Sequence, residues 1–377
     1  METVLTHPAP VVENIDRAMV EAYRAEIPRG HLGMSQIGKT DSRELWFKFR
    51  WSLPDEPAPR VLRIFDLGNI IEDEVIKLLR QAGYTLLDRG SNGAQFNATA
   101  LGGHFSGSCD GIITAFPNGD NVPHVFECKS SNAKRFKKFQ QNGVKVSSPE
   151  YYGQMQCYMN RFHCKRALFV MYCKDNSELH TEFVDLDPDY YPEIESKALR
   201  IIASDTPPPS SYPNRAWYEA KYMSEEAQAV YWGDELPART NCRNCRHSCP
   251  VIEGEGARWG CRRSNKFLSR EKQWAGCDFH NWIPELVPAK VVAIHPKADA
   301  VEYQTKGGAR FFNGPKTVNH ADVFSSDEIG AASRSGFGFM EDEFVRSYAV
   351  SLAGDWWKVA RFSENNPSFE GNTRNDQ

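Results

Sequence analysis

The pattern of apolar and polar positions predicts alternating helices and strands over residues 1–205. Within 65–82, apolar residues recur at Ile71, Val75, Leu78 and Leu79, which is the spacing of one helix face. By the same reasoning we expect helices at 13–27, 41–52, 65–82, 132–142, 150–161 and 189–203, and strands at 84–88, 94–100, 108–115, 122–129, 166–173 and 180–186. This order of elements predicts an α/β domain with a mixed central sheet flanked by helices.

The remaining chain divides at a proline-rich breaker. Residues 206–211 read Thr-Pro-Pro-Pro-Ser-Ser, the clearest linker signal in the sequence. We therefore expect a core domain at 1–205, a linker and bridging helix at 206–238, a Cys-rich module at 239–284, and a C-terminal extension at 285–377. In the extension, 291–294 and 309–312 resemble strands, and 363–377 is polar enough for a disordered tail.

Candidate chemistry concentrates near the ends of two predicted strands. Asp110 lies in the segment Ser-Cys-Asp-Gly, and an apolar strand ends in Glu127, Cys128 and Lys129. Successive strand residues point to opposite faces, so Glu127 and Lys129 share a face, while the carbonyl of Cys128 is available as a ligand. Carboxylates and carbonyls are ligands for Mg²⁺, and a neighbouring lysine orients water and stabilises phosphate charge. The set predicts metal-assisted phosphodiester hydrolysis.

Each of these residues also has a simpler interpretation. An Asp before a Gly is a common turn residue, and charged residues at a strand end are commonly solvated. The joint occurrence of several motifs in order favours the metal site. Two more segments extend the series. Glu72 lies on the helix predicted at 65–82, with Glu74 as an alternative acid, and Gln154 and Tyr158 share one face of the helix at 150–161.

This ordered series resembles the PD-(D/E)xK nucleases, and within them the RecB-like and phage lambda exonuclease-like (YqaJ-type viral recombinase) branch. The likeness covers roughly residues 30–190, with Cys109 at the position of the signature proline. It implies a restriction-endonuclease-like core. Its implied site residues are Glu72, Asp110, Glu127 and the Cys128 carbonyl at a catalytic Mg²⁺ or Mn²⁺, Lys129 assisting the water, and Gln154 and Tyr158 at the DNA.

The resemblance implies a deoxyribonuclease. The expected form is an exonuclease acting on double-stranded DNA ends in phage-type recombination, replication or repair, with a single-strand annealing or recombination protein as a partner. Two alternatives stay open. A structure-specific or restriction-like endonuclease would share every catalytic residue, and a non-catalytic DNA-binding or assembly protein would keep the fold. These motifs do not fix the oligomeric state, and they are compatible with a homo-oligomer.

A basic segment follows the catalytic strand. From Cys128 to Pro149 the chain has six basic residues and no acid, although its overall charge is −4. Two aromatic residues, Phe136 and Phe139, are interleaved with the basic ones. The candidate DNA-binding residues are Lys134, Arg135, Lys137 and Lys138. Such a helix contacts phosphates when it lies beside a metal site, and the simpler interpretation is a solvated helix face.

The Cys-rich module contains Cys242-x-x-Cys245, followed at equal spacings by Cys261 and Cys277. Four thiolates suit a structural Zn²⁺. The competing ligands are Cys249, His247 and His280, and the alternatives are free buried thiols or an iron–sulfur cluster. Relatives with such a cluster place its first Cys near the N-terminus, where this chain has Thr40, so zinc is favoured.

The distribution of cysteines predicts a reducing compartment. Five of the ten cysteines fall within or directly between predicted strands and helices, which is not a disulfide framework. No apolar run is long enough to span a membrane, and the N-terminal residues do not form a signal peptide. We therefore expect a cytoplasmic protein without a membrane partner, located in the host cytoplasm if phage-encoded.

Overall fold

The computed structural model describes residues 10–54, 57–119, 121–315 and 323–334. The tail expected at 363–377 lies outside these described residues. Within them, no helix has both the length and the apolar character needed to cross a bilayer.

The predicted order of helices and strands is confirmed, except at 108–115. Most bounds agree within a few residues, but α3 begins at Pro59 and not at 65, and α4 ends at Ser147 and not at 142. The α-helices of the described residues are α1 (Val11–Arg24), α2 (Ser42–Phe49), α3 (Pro59–Gln81), α4 (Ala133–Ser147), α5 (Pro149–Phe162), α6 (Tyr190–Ala203), α7 (Glu225–Trp232), α8 (Arg270–Ala275) and α9 (Ser326–Arg334). The β-strands are β1 (Leu32–Gly33), β2 (Thr85–Leu87), β3 (Phe96–Ala100), β4 (Phe105–Cys109), β5 (Gly111–Ala115), β6 (His124–Ser131), β7 (Arg166–Cys173), β8 (Leu179–Asp185), β9 (Ser248–Pro250), β10 (Trp259–Cys261), β11 (Lys266–Leu268), β12 (Lys290–His295), β13 (Ala300–Gln304), β14 (Arg310–Asn313) and β15 (Val323–Phe324).

The chain forms two compact units, each discontinuous in sequence. One comprises Met1–Thr40 and Asp55–Arg200, and the other comprises Asp41–Pro54 and Ile201–Gln377. Helix α2 therefore groups with the chain beyond residue 200, although the sequence places it in the core domain. The segment expected as a linker, 206–238, is part of the second unit. Local spacing predicts that α2 buries a face, but it does not specify which segment covers that face.

A mixed five-stranded sheet forms the centre of the first unit, as expected. Its strand order is β2-β5-β6-β7-β8, in which β6 and β7 are parallel and the other pairs antiparallel. Strand β7 is buried along nearly its whole length, as is typical of a strand covered on both faces. On one face, Ile71 and Val75 of α3 pack against Phe126 and Cys128. On the other, Phe139 of α4 stacks on a ring of β7.

The predicted strand at 108–115 is two strands in the structure. Strand β4 lies between β1 and β3 in a separate three-stranded sheet, whereas β5 pairs with β2 and β6. Asp110 is the residue between β4 and β5. The prediction of one continuous strand is wrong because a change of pairing partner leaves no trace in the alternation of apolar residues.

The second unit contains two small sheets. Strands β9, β10 and β11 form an antiparallel sheet, and β12, β13, β14 and β15 form another in the order of the chain. Strands β12 and β14 confirm the strands predicted near 291–294 and 309–312. Helix α2 begins where Asp41 accepts a hydrogen bond from the backbone N–H of Glu44, which satisfies one free donor of the first turn.

Two buried guanidinium groups connect the segments of the second unit. Arg243 is 1% exposed, and its Cζ lies 3.8 Å from the ring centroid of Trp51 and 4.6 Å from that of Trp259. It donates to the carbonyl of Phe49 at 3.1 Å, and Arg50 donates to the carbonyl of Arg243 at 3.3 Å. Burial lowers the pKa of Arg243 well below its usual value and that of Arg50 to about 10. Aromatic faces and carbonyls therefore stabilise these cations.

Replacing Arg243 is expected to destabilise the second unit. Arg243→Ala leaves buried carbonyls without a donor and opens a cavity between two indole rings, a loss of about 3 kcal/mol or more. Arg243→Lys keeps the charge but loses the planar stacking, so this variant should also unfold at a lower temperature than the wild type. Thermal unfolding measures both variants against Lys221→Ala, a change at an exposed lysine of the same unit. A wild-type melting temperature for Arg243→Lys would contradict the role of stacking.

Candidate active site

Three elements of the first unit bring acidic side chains together. Helix α3 carries Glu72, the junction of β4 and β5 carries Asp110, and β6 carries Glu127. Strands β5 and β6 are antiparallel neighbours, so the residue preceding β5 lies beside β6. The carboxylate of Asp110 accepts a hydrogen bond of 2.8 Å from the backbone N–H of Cys128. The break between the two sheets thereby fixes Asp110 next to β6, the strand that carries Glu127 and Lys129.

Lys129 lies among these carboxylates. Its Nζ is 3.5 Å from Oδ2 of Asp110 and contacts the carboxylate of Glu127. It also donates a hydrogen bond of 3.0 Å to the carbonyl of Cys128, which the sequence predicts to be a metal ligand. Burial opposes its charge, but Asp110 and Glu127 raise the pKa of Lys129 well above the usual value. The amine is therefore held as an ammonium ion.

Glu127 is completely buried, and neither carboxylate oxygen accepts a hydrogen bond of acceptable geometry within the described residues. Burial first, and then the neighbouring Asp110, raise the pKa of Glu127 to about 8, although Lys129 acts in the opposite direction. A buried carboxylate with so few partners is costly for folding. Such groups occur preferentially where a functional site requires them.

Of the two acids considered on α3, Glu72 is the one directed to this cluster. Burial and the charge of Asp110 raise the pKa of Glu72 to about 7. Glu74 is exposed instead, and its carboxylate lies 3.0 Å from the ammonium of Lys77 on the same helix. The helical turn separates the two acids, because residues two apart do not share a face.

The donor chemistry of the cluster fits a hard divalent cation. As they stand, no three His, Cys, Asp or Glu side chains of the described residues are positioned to hold an ion together. Oε1 of Glu127 is ion-paired with Lys129, whereas Oε2 is buried and accepts no hydrogen bond from the described residues. Asp110 and Glu72 interact electrostatically with this carboxyl group. Oxygen donors of this kind are those that Mg²⁺ and Mn²⁺ take.

Gln154 and Tyr158 lie on α5, and both are buried. The hydroxyl of Tyr158 donates a 2.6 Å hydrogen bond to the carbonyl of Ser108 and accepts one of 3.3 Å from Nε2 of Gln154. A Cβ atom at Gly107 would lie 2.7 Å from the Tyr158 hydroxyl, so the strand approaches too closely for any other residue. The ring of Tyr158 is only 1% exposed. Its contacts fix the strand that leads into Asp110.

Helix α4 presents its basic side chains outward. Lys134, Arg135, Lys137 and Lys138 are exposed, whereas the two phenylalanines between them are buried. The helix extends beyond the predicted end at 142 to Ser147, through a kink at Gly143. Gly143 has a φ of 68°, which favours glycine, and Glu182 accepts a hydrogen bond of 2.7 Å from the next backbone N–H. The carboxylate of Glu182, on β8, therefore caps the helical segment that follows the kink.

Tyr151 is a residue of this region that the sequence interpretation missed. Its ring centroid lies 5.7 Å from Nζ of Lys129 and 5.4 Å from Cζ of Arg135. The ring also stacks on Phe139 at 6.2 Å. Tyr151 thus lies between Lys129 and the basic helix. The available signal was its spacing, because Tyr151 and Gln154 are three apart on one helix and share a face.

The chain is similar to several solved structures, two of which are named exonucleases. It is 18% identical to an alkaline exonuclease (LHK-Exo) from Laribacter hongkongensis, with a TM-score of 0.34 over 51% of this chain and 91% of that one. It is 15% identical to the protein SSO0001, with a TM-score of 0.35 over 52% of this chain and 86% of that one. It is 19% identical to a phage related exonuclease from Haemophilus somnus 129PT, with a TM-score of 0.31 over 42% of this chain and 77% of that one. No family model matches the chain, and no curated protein does so significantly. At these TM-scores the likeness supports no argument, and the function has to be argued from the side chains themselves.

Replacing Glu127 with Gln is expected to stabilise the protein in the absence of metal. The folded protein holds this carboxyl at a pKa of about 8 instead of 4.5, so the unfolded chain ionises first and stability falls as the pH rises between these values. A neutral Gln removes this loss. Thermal unfolding in EDTA, followed across that pH range, should show a flatter profile and a higher melting temperature near pH 8 for Glu127→Gln.

Glu74→Gln is the matched control, since Glu74 is an exposed glutamate of the same unit. It should follow the wild-type profile. A melting temperature of Glu127→Gln below that of the wild type near pH 8 would show that the carboxylate stabilises the fold, contrary to this prediction.

Proposed function

We propose that the chain is a metal-dependent nuclease that hydrolyses the phosphodiester bonds of DNA. The observation that carries the proposal is Glu127, a fully buried carboxylate with no hydrogen bond of acceptable geometry to its oxygens, set beside Asp110 and Lys129. A binding protein gains nothing from a concentration of negative charge next to a phosphate. A hydrolytic site requires it, because a cation placed between carboxylates and phosphate reverses the repulsion.

Glu72, Asp110 and Glu127 would hold Mg²⁺ or Mn²⁺, and the carbonyl of Cys128 would add an oxygen if Lys129 released it. When bound, such an ion lowers the pKa of water and stabilises negative charge on phosphate oxygens. The protons that Glu72 and Glu127 retain near neutral pH would leave on binding.

Lys129 would act as a cation and hydrogen-bond donor. Its raised pKa keeps the proton on the amine, so it is a poor general base. An ammonium held beside Asp110 and Glu127 orients a water molecule and stabilises charge that develops on the phosphate. Gln154 and Tyr158 would contribute by fixing the strand that ends at Asp110, given the hydrogen bond of 2.6 Å from Tyr158 to that strand.

The exposed basic side chains of α4 would bind the sugar–phosphate backbone. They carry no acid among them, and Arg135 extends toward Tyr151, which contacts the catalytic lysine. Lysine and arginine contacts of this kind give affinity without sequence preference. We propose DNA with a free end as the substrate, hence an exonuclease. The ordered motifs of the sequence support this choice.

Cleavage assays with matched acid and lysine variants test the proposal. Lys129→Ala should lower the cleavage rate by about 10²–10³-fold, because it removes a charge that stabilises the transition state. Glu72→Gln should cause a loss of similar order, whereas Glu74→Gln and Lys77→Ala, which alter an exposed ion pair on the same helix, should keep wild-type rates. The measurement is digestion of end-labelled linear duplex and of a closed circular plasmid, with Mg²⁺ and with EDTA.

Loss of the linear duplex alone, in Mg²⁺ and not in EDTA, is the expected result. Nicking of the closed circle would replace the exonuclease assignment with an endonuclease. Wild-type cleavage by Lys129→Ala, or the absence of cleavage in both Mg²⁺ and Mn²⁺ by the wild type, would contradict the proposed function.

The role of Tyr151 is tested with two substitutions, one that removes only the hydroxyl group and one that removes the whole ring. Contacts with Lys129 and Arg135 are made by the ring face, so Tyr151→Phe should retain the wild-type rate. Tyr151→Ala should lower the rate about tenfold, because both cations lose the surface that positions them. Single-turnover rates and DNA affinities, measured on both variants, check this. Equal losses for Phe and Ala would assign the role to the hydroxyl.

A further inference from the structure

Four cysteines of the second unit line one cavity of about 400 Å³. Cys242 and Cys245 flank a short helical turn, Cys261 ends β10, and Cys277 follows α8. The chain segments between them are long, yet the fold brings all four thiols to the same cavity. All ten cysteines of the chain are free thiols, so no disulfide accounts for their convergence.

The thiols are close enough to affect one another. Cys242 interacts electrostatically with Cys245, Cys277 and Cys261. Cys245 interacts in the same way with Cys277 and Cys261. Cysteines scattered through a hydrophobic core would not all interact with one another in this way. These four are also not all core residues, because Cys277 is exposed and Cys242 and Cys261 are half-buried.

Backbone donors surround the sulfur atoms. The N–H of Asn281 lies 3.5 Å from Sγ of Cys245, and the N–H of His247 also donates to that sulfur. The N–H of Phe279 donates to Cys277. The backbone therefore directs hydrogen-bond donors at two of the four sulfur atoms.

His247 and His280 also line the cavity, but Nε2 of each histidine is already engaged by another side chain. Nε2 of His247 lies 2.8 Å from Asp299, and Nε2 of His280 lies 2.8 Å from Asn244, within the turn between the first two cysteines. Cys249 lies on β9, and it is not among the residues that line the cavity. His280 thus positions the chelating turn, and four thiols remain as the donor set.

The small sheet beside the cavity requires an additional source of stability. Strands β9, β10 and β11 are three residues long, and β11 has no buried residue. Apolar burial in such a sheet is too limited to hold it, and small modules of this kind are usually stabilised by a metal or disulfides. The buried Trp259 is the main apolar contribution from β10.

We propose that Cys242, Cys245, Cys261 and Cys277 form a structural zinc site. Soft thiolates select Zn²⁺ over the hard cations of the active site, and a Cys-x-x-Cys turn beside a small antiparallel sheet is typical of structural zinc. No three of these side chains are positioned to hold an ion as they stand, so binding requires rotation of the thiols about their Cα–Cβ bonds into the cavity. The three that are not buried have room for this rotation.

Metal analysis of the full-length chain tests the site. Purified protein, reconstituted with Zn²⁺ alone, should contain about one zinc per chain. Substitution with Co²⁺ should give the visible bands of tetrahedral coordination and the near-ultraviolet bands of thiolate bonding. Cys277→Ser is the first variant, because this exposed cysteine can be changed with little effect on packing. It should lose most of the bound zinc, and Cys249→Ser, the matched control in the same module, should retain it.

Removal of zinc by a chelator should lower the melting temperature of the wild type but not that of Cys277→Ser. Glu127→Gln should keep its zinc, because the active site is a separate set of residues, so failure of the nuclease assignment would leave this result unchanged. Iron and sulfide in the purified protein, no retained zinc after reconstitution, or equal loss of zinc in Cys249→Ser and Cys277→Ser would each overturn the proposal.

Discussion

The hydrogen bond from the backbone of Cys128 to the carboxylate of Asp110 is the contact on which the candidate site depends. Asp110 lies where the chain leaves one sheet and enters another, a position with no strand partner of its own. The bond ties that junction to β6, the strand that carries Glu127 and Lys129. From the other side, Tyr158 holds the carbonyl of Ser108. The acid is therefore fixed directly by β6 and indirectly through the strand that precedes it.

The charges of the site oppose the stability of the fold. Glu127 is enclosed, and Glu72 and Asp110 add like charge beside it. Lys129 compensates for part of this, since one ammonium contacts two carboxylates. The remainder is free energy of folding given up to keep three acidic side chains close together. The core cluster of α3 and the central sheet, which includes Ile71 and Phe126, supplies the stability that offsets it.

Local patterns in the sequence predicted much of this structure. Helical spacing at Ile71 and Val75 located α3, and the alternation before Glu127 located β6, because each element buries one face and its residue types record that. The ordered motifs also identified Asp110, Glu127 and Lys129 as neighbours. Three-dimensional partners were not predictable in the same way. The change of sheet at Asp110 depends on which strands pair, and the place of Tyr151 depends on how two helices pack. The sequence also could not decide whether Glu72 or Glu74 faces the site. The two acids point to different sides of the helix, but they belong to one run of three acidic residues, so the residue types do not distinguish them.

The discontinuity of the second unit has a consequence for biosynthesis. Helix α2 buries Trp46, Phe47 and Phe49, and its aromatic contacts include Tyr231 and Trp259, which the ribosome adds nearly two hundred residues later. During translation these side chains are therefore without their partners while the first unit is already complete in sequence. A nascent chain must keep this apolar helix soluble through that interval. Shortening the protein at the proline-rich segment would leave these side chains permanently without their partners, so the first unit cannot be isolated simply by deleting the C-terminal half of the chain.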